Sequence, residues 1–162
     1  MKSATLGFRA HSGWAVAVVL CGPLHSPIVI DRRRIQLVKA FSYTYRQPYH
    51  TAERMPANDA AKFVASVRSE ATRLALSSLR SLQKDLAEQD CKIARCALLL
   101  ASGRALPQLE HILASHALIH TADGELFRDA LRGSGPDKPR AENRNFAIHS
   151  SFLNCDVIAP VL

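Results

Sequence analysis

The sequence predicts an α/β domain: a mixed sheet that opens with an antiparallel meander and carries helices packed on it. Three observations carry that expectation. Residues 1–38 alternate short Val- and Ile-rich runs with Gly and Pro punctuation. From Ala60 to Leu86, apolar residues recur at steps of mostly three and four, the period of one helix face. An almost unbroken apolar run, Ile93 to Ala101, follows that stretch.

Taken in order, Ala4 to Phe8 reads as a short strand and Trp14 to Cys21 as a Val-rich one ended by Gly22-Pro23. Ile28 opens a third strand that runs to Val38, where Ile35 and Leu37 flank Gln36 with the two-residue period of a half-buried strand. Phe41 to Met55 lacks either period and reads as loop. The long helix takes Asn58 or Asp59 as its cap, with Pro56 just outside, and ends near Leu86–Asp90. At 1.5 Å per residue it is about 45 Å long, enough to cross the back of a sheet. Ile93 to Ala101 reads as a central strand covered on both faces. Short helices follow, one from Pro107 to Leu113 and one from a Thr121 cap to Leu131, ended by Gly133-Ser134-Gly135-Pro136. Phe146 to Phe152 and Val157 to Leu162 are weaker strands in a divergent or irregular tail, residues 137–162, of one domain spanning 1–162.

Composition bounds the function classes. The chain has 162 residues, 48% of them hydrophobic, enough for a core and too many for a disordered chain. Its net charge is +7, and residues 1–54 hold eight Lys/Arg against two acids, so nearly all the surplus lies in the first third. A localised basic field favours phosphate, nucleic acid or another acidic partner, and it also suits a charged sheet edge. The cysteines, Cys21, Cys91, Cys96 and Cys155, form no C-x-x-C pair, and Cys96 sits in an apolar run like a small core residue. A reducing cytoplasm is therefore expected. No apolar run is long enough for a membrane span, and Arg9 interrupts any signal-peptide core.

Two polar clusters stand out. Gly7 to Trp14 is a polar turn, and the strand carrying Asp31-Arg32-Arg33-Arg34 lies near it if the meander holds. Arg9 and His11 beside part of that Arg run would clamp a phosphate or carboxylate. The second cluster runs from Glu110 to Asp129 and includes His111, His116, His120, Asp123, Glu125 and Arg128. His116 and His120, four apart, share a face if that stretch is helical, a spacing that can hold a metal. Ala117-Leu118 follows His116, so there is no zincin glutamate. Tyr49-His50 with Glu53 is a lesser polar group. Dinucleotide and P-loop glycine motifs and the G-x-S-x-G elbow are absent.

Leu6-Gly7-Phe8-Arg9-Ala10-His11-Ser12-Gly13-Trp14-Ala15-Val16, with the order of strands and long helix, resembles the ribonuclease H-like superfamily, Holliday junction resolvases included. The likeness spans roughly residues 4–132 and implies a ribonuclease H-like mixed sheet. In that superfamily the first strand ends in a catalytic Asp that bridges metal ions, and here that position is Phe8 or Arg9. A bacterial family of uncharacterised proteins is also similar, through Gly7 to Trp14, Asp31 to Leu37, Gln47 to His50, Leu113 to His120 and Gly124 to Arg128. It implies no particular function.

Loss of that Asp turns the expectation from two-metal catalysis to binding, since Arg repels divalent metal and attracts phosphate. The expected ligand, nucleic acid or a phosphorylated small molecule, would meet Arg9, His11, Arg33, His50, His116 and Arg128. Trp14, Phe41, Tyr43, Tyr45 and Tyr49 would supply stacking. The enzymatic alternative is a nuclease or phosphohydrolase with a rearranged site of Asp31, Glu110, Asp123 and Glu125, with His120 as base or ligand and Mg²⁺ or Mn²⁺ bound. Otherwise no cofactor is expected. A third alternative is a structural or regulatory homo-oligomer that pairs through the long helix.

Overall fold

The computed structural model describes residues 1–99, 105–133, 145–148 and 153–156. Its centre is a mixed four-stranded open sheet of β1 (Lys2–His11), β2 (Trp14–Cys21), β3 (Ile28–Gln36) and β4 (Cys91–Leu98), ordered β3-β2-β1-β4. The meander is as expected, with β1 antiparallel to β2 and β2 to β3. Ser12-Gly13 makes the first turn, and Gly13 at φ +83° supplies the left-handed backbone the hairpin needs. β4 lies parallel to β1, reached through a helical crossover. Beyond β4, two short backbone strands, β5 (Asn145–Ile148) and β6 (Leu153–Asp156), continue the order as β6-β5. The expected strands at 146–152 and 157–162 otherwise lie outside the described residues.

Alternation sends one set of side chains inward. Ala4, Leu6 and Phe8 of β1, Ala15, Ala17 and Val19 of β2, Ile35 of β3, and Ile93, Cys96 and Leu98 of β4 are all buried. Onto them packs the crossover helix α3 (Ala57–Glu88), through Val64, Val67, Ala71, Ala75, Leu79, Leu82 and Leu86. Most of the apolar stripe read from the sequence is thus packed into the core, while Phe63 and Leu74 stay partly exposed. Pro56 takes the N-cap position instead of Asn58 or Asp59.

Four local expectations are corrected. The stretch 41–55 contains two short helices, α1 (Tyr43–Arg46) and α2 (Pro48–Ala52), each too short to show a period. β4 is covered on one face only, because Lys92, Ala94 and Arg95 are exposed while Cys91, Ile93 and Cys96 are buried. After α4 (Leu109–Leu113), the last helix α5 (His116–Arg132) starts five residues before the expected Thr121, with Ser115 at its N-cap. Cys96 is disulfide-bonded where a free core thiol was expected, whereas Cys21 and Cys91 are free. Among the described residues no helix is long and apolar enough to cross a membrane.

Chain direction locates the ends of the sheet. The Lys2 N–H donates to the Asp90 carbonyl at 2.7 Å, so the C-terminal end of α3 adjoins the start of β1. α3 is 32 residues, about 48 Å at 1.5 Å per residue, so its N-terminus and the preceding α2 lie toward the carboxyl end of β1. α4 and α5 follow the carboxyl end of β4. In open α/β sheets, ligands gather at that end.

Candidate functional sites

Two constellations emerge. The first is at the junction of α2 and α5. Pro48 opens α2 and Gln47 gives no side-chain cap, so α2 needs an acceptor for its first N–H groups. Asp123 of α5 provides it: Oδ1 accepts from the Tyr49 N–H at 2.7 Å. Oδ2 lies 2.5 Å from His50 Nδ1. Asp123 is only 5% exposed, and burial pushes its carboxyl above the ordinary range, against the opposing pull of the His50 and Tyr49 hydrogen bonds.

One and two turns back along α5 stand His120 and His116, whose Nε2 atoms are 3.0 Å apart. With His50 they form three imidazoles whose ligand atoms all lie within 4.8 Å of one another. The rings meet edge-on, His50 to His116 at 90°, His50 to His120 at 67° and His116 to His120 at 82°. Tyr43 of α1 stands 6.5 Å from His50, with its ring exposed. On the other side of Tyr49, a cleft of about 360 Å³ is lined by Arg68, Leu106, Ile112, Glu125 and Asp129. There the Tyr49 hydroxyl accepts a hydrogen bond from Arg68 at 2.9 Å.

The second constellation lies on the sheet face opposite α3. Reading across strands in register, Arg9, Val16 and Arg34 form one row, and Gly7, Val18 and Arg32 the next. Arg95 and Lys92 of β4 stand in register with Thr5 and Ser3. No Asp or Glu occupies an outward position of β1 to β4, since Asp31 faces the helix layer. At the end of this face a stack runs through His11, Trp14, Arg34, Phe41 and Arg46. The His11 and Trp14 rings are 4.2 Å apart and 11° from parallel. The Arg34 guanidinium lies 4.4 Å from the Trp14 ring and 4.7 Å from Phe41. Arg46 covers Phe41 at 4.4 Å and donates to the Ser12 carbonyl at 3.3 Å. Each such contact is worth about 0.5–1 kcal/mol at an exposed site. Partial burial and the charges of Arg9 and Arg34 hold the His11 pKa below its ordinary value.

The expected ligand residues therefore fall in separate places. Arg9 and His11 share the outer face, and Arg34 stands there where Arg33 was expected. Arg33 points to the helix layer, paired with Asp31 and, at 2.7 Å, with Asp85. These carboxylates hold its pKa above the ordinary value, Asp31 most strongly. His50 and His116 belong to the histidine group, and Arg128 is 3.2 Å from Glu125. The expected acidic site is dispersed: Asp31 binds Arg33, Asp123 binds His50, Glu125 is buried between Arg128 and Arg132, and Glu110 is exposed on α4. Among the described residues the metal-competent group is the histidine trio, in which His50 of α2, expected beside His116 as a ligand contact only, joins the His116 and His120 pair. Of the expected stackers, Trp14 and Phe41 join the outer stack, Tyr45 lies 4.7 Å from the Lys39 ammonium, Tyr43 borders the trio and Tyr49 is buried. Comparison with protein-family models, curated proteins and solved structures finds no match to this chain.

Proposed function

We propose that the protein binds single-stranded nucleic acid along the outer face of its sheet, on a ribonuclease H-like frame and without carboxylate-held two-metal catalysis. The observation that carries this reading is a sheet face bearing Arg9, Arg32, Arg34, Lys92 and Arg95 with no outward carboxylate. The strand order β3-β2-β1-β4, with β4 parallel to β1 after a helical crossover, supports the frame. Positive side chains spread over neighbouring strands suit a polymer of phosphates better than one compact anion. Across two strand spacings Arg9 and Arg34 are about 10 Å apart, and Arg32 and Arg34 are about 7 Å apart along β3. Trp14, His11 and Phe41 at the edge of the same face offer ring surfaces for bases, the usual complement to a basic groove.

The test is fluorescence anisotropy with labelled single-stranded, duplex and branched oligonucleotides over a salt series. Preferential single-strand binding is expected, and three neutralised phosphates would give a log–log salt slope of about −2. Replacing Arg9, Arg34 and Arg95 together with Ala should flatten that slope. Absence of salt-sensitive binding at low ionic strength overturns the proposal, as does full displacement by inorganic phosphate at matched ionic strength.

A further inference from the structure

The trio at the α2–α5 junction carries an inference that does not depend on the outer face. We infer that His50, His116 and His120 hold one zinc-class divalent transition-metal ion, with Asp123 as the positioning residue that orients His50. A tetrahedral zinc bound to imidazole at about 2.0–2.1 Å places its nitrogen ligands about 3.3 Å apart. The His116 and His120 Nε2 atoms are 3.0 Å apart, and all three ligand atoms fit within 4.8 Å. Edge-on rings, at 67° to 90°, let three in-plane lone pairs converge, which face-to-face stacking would not.

The protonation chemistry argues in the same direction. A neutral His50 that donates its Nδ1 proton to Asp123 keeps Nε2 as a bare lone pair, the tautomer a metal ligand needs. Carboxylate, histidine and metal in line is the usual way a protein orients such a ligand. Asp123 is itself held by the Tyr49 N–H, so this support is fixed before any ion arrives. The His116 and His120 Nε2 atoms are 3.0 Å apart, so one ring can donate its Nε2–H to the lone pair of the other. One dication satisfies all three lone pairs at once.

The donor set also selects the ion. Three imidazoles suit Zn²⁺, Co²⁺, Ni²⁺ or Cu²⁺, whereas Mg²⁺ and Mn²⁺ prefer oxygen ligands. A cofactor of the Mg²⁺ or Mn²⁺ kind is thus a poor match for this group. His116 and His120 are exposed, so the side of the ion away from α5 faces solvent and would carry water or another exchangeable ligand. Three protein ligands and an open fourth position is the arrangement of reactive zinc sites. Its place toward the carboxyl ends of β1 and β4 is where a ligand can reach it.

The experiment uses untagged full-length protein stripped with chelator, then titrated with ZnCl₂ by calorimetry and with CoCl₂ by visible absorption. One zinc per chain is expected, with cobalt d–d bands of four- or five-coordinate intensity. The His116→Ala/His120→Ala double variant, altered only at exposed positions, should keep the circular dichroism of the parent and lose the site. Asp123→Asn should retain the stoichiometry with affinity lowered about 10–100-fold. If that variant misfolds, His50→Ala replaces it and is expected to lose the three-histidine cobalt spectrum. The inference is overturned if no zinc binds at a few-fold molar excess. Undiminished binding in the double variant, or a preference for Mg²⁺ over Zn²⁺, overturns it equally.

Discussion

At the scale of single residues, His11 reports on the outer face most directly. Its ring lies on Trp14, and the charges of Arg9 and Arg34 add to partial burial in opposing its protonation. Its folded pKa therefore lies below the ordinary value of about 6.5. The sign of the linkage follows: the unfolded chain binds the proton more readily, so stability from neutral His11 is complete above the unfolded pKa and declines as pH falls through the folded one. Arg34→Ala removes one of the repelling charges, so the His11 titration followed by NMR should move up toward the ordinary value. An unchanged or lower midpoint in that variant would show that Arg34 does not act on His11. The choice between Arg33 and Arg34 was already legible in the sequence. Ile35 and Leu37 mark the inward parity of the strand, which sends Arg33 inward and Arg34 outward. That His50 completes a metal-competent group with His116 and His120 was not legible, because residues on separate helices meet only through tertiary packing and no local period encodes that meeting.

At the scale of elements, legibility tracks length. α3 was readable because its apolar repeat persists over 32 residues, while α1 and α2 are four and five residues long and show no repeat. In and just after β4, Ala94, Ala97 and Leu99 look apolar in a linear scan yet lie outside the buried set, so the expectation of cover on both faces fails. The start of α5 was hidden by Thr121, a natural cap that instead lies inside the helix with its hydroxyl bonded to the Ala117 carbonyl at 3.0 Å. The energetic weight of α3 rests on its buried face. Leu82 is completely buried, so Leu82→Ala should destabilise the fold by about 2–5 kcal/mol through lost transfer energy and the cavity left behind. Lys84, exposed on the same helix, should shift stability by no more than about 0.5 kcal/mol when changed to Ala. Urea unfolding of both variants gives the comparison, and similar losses would mean that the stripe is not the packing face.

For the whole molecule, the sheet separates two layers that meet at its edge, where Arg46 of α1 joins the outer stack. Helices and the apolar core occupy one side, and the cation–aromatic stack around Trp14 occupies the other. The basic surplus of the first third divides in the same way, with Arg33 neutralised in the helix layer and Arg9, Arg32 and Arg34 left on the outer face. This partition has a thermodynamic consequence. Trp14 is half-buried between His11 and Arg34, so Trp14→Ala should cost about 1–2 kcal/mol from lost area and cation–π contact. Leu82 lies in the other layer, where its partners belong to the core and not to the stack. The two losses should therefore add to within about 0.5 kcal/mol in a Trp14→Ala/Leu82→Ala double-mutant cycle measured by urea unfolding at one temperature. The single variants also establish whether each transition remains two-state, which the cycle requires. A coupling well above that limit would mean that the sheet backbone shifts when either layer is loosened. The outer face would then be part of the cooperative core, and not a surface free to rearrange around a bound strand.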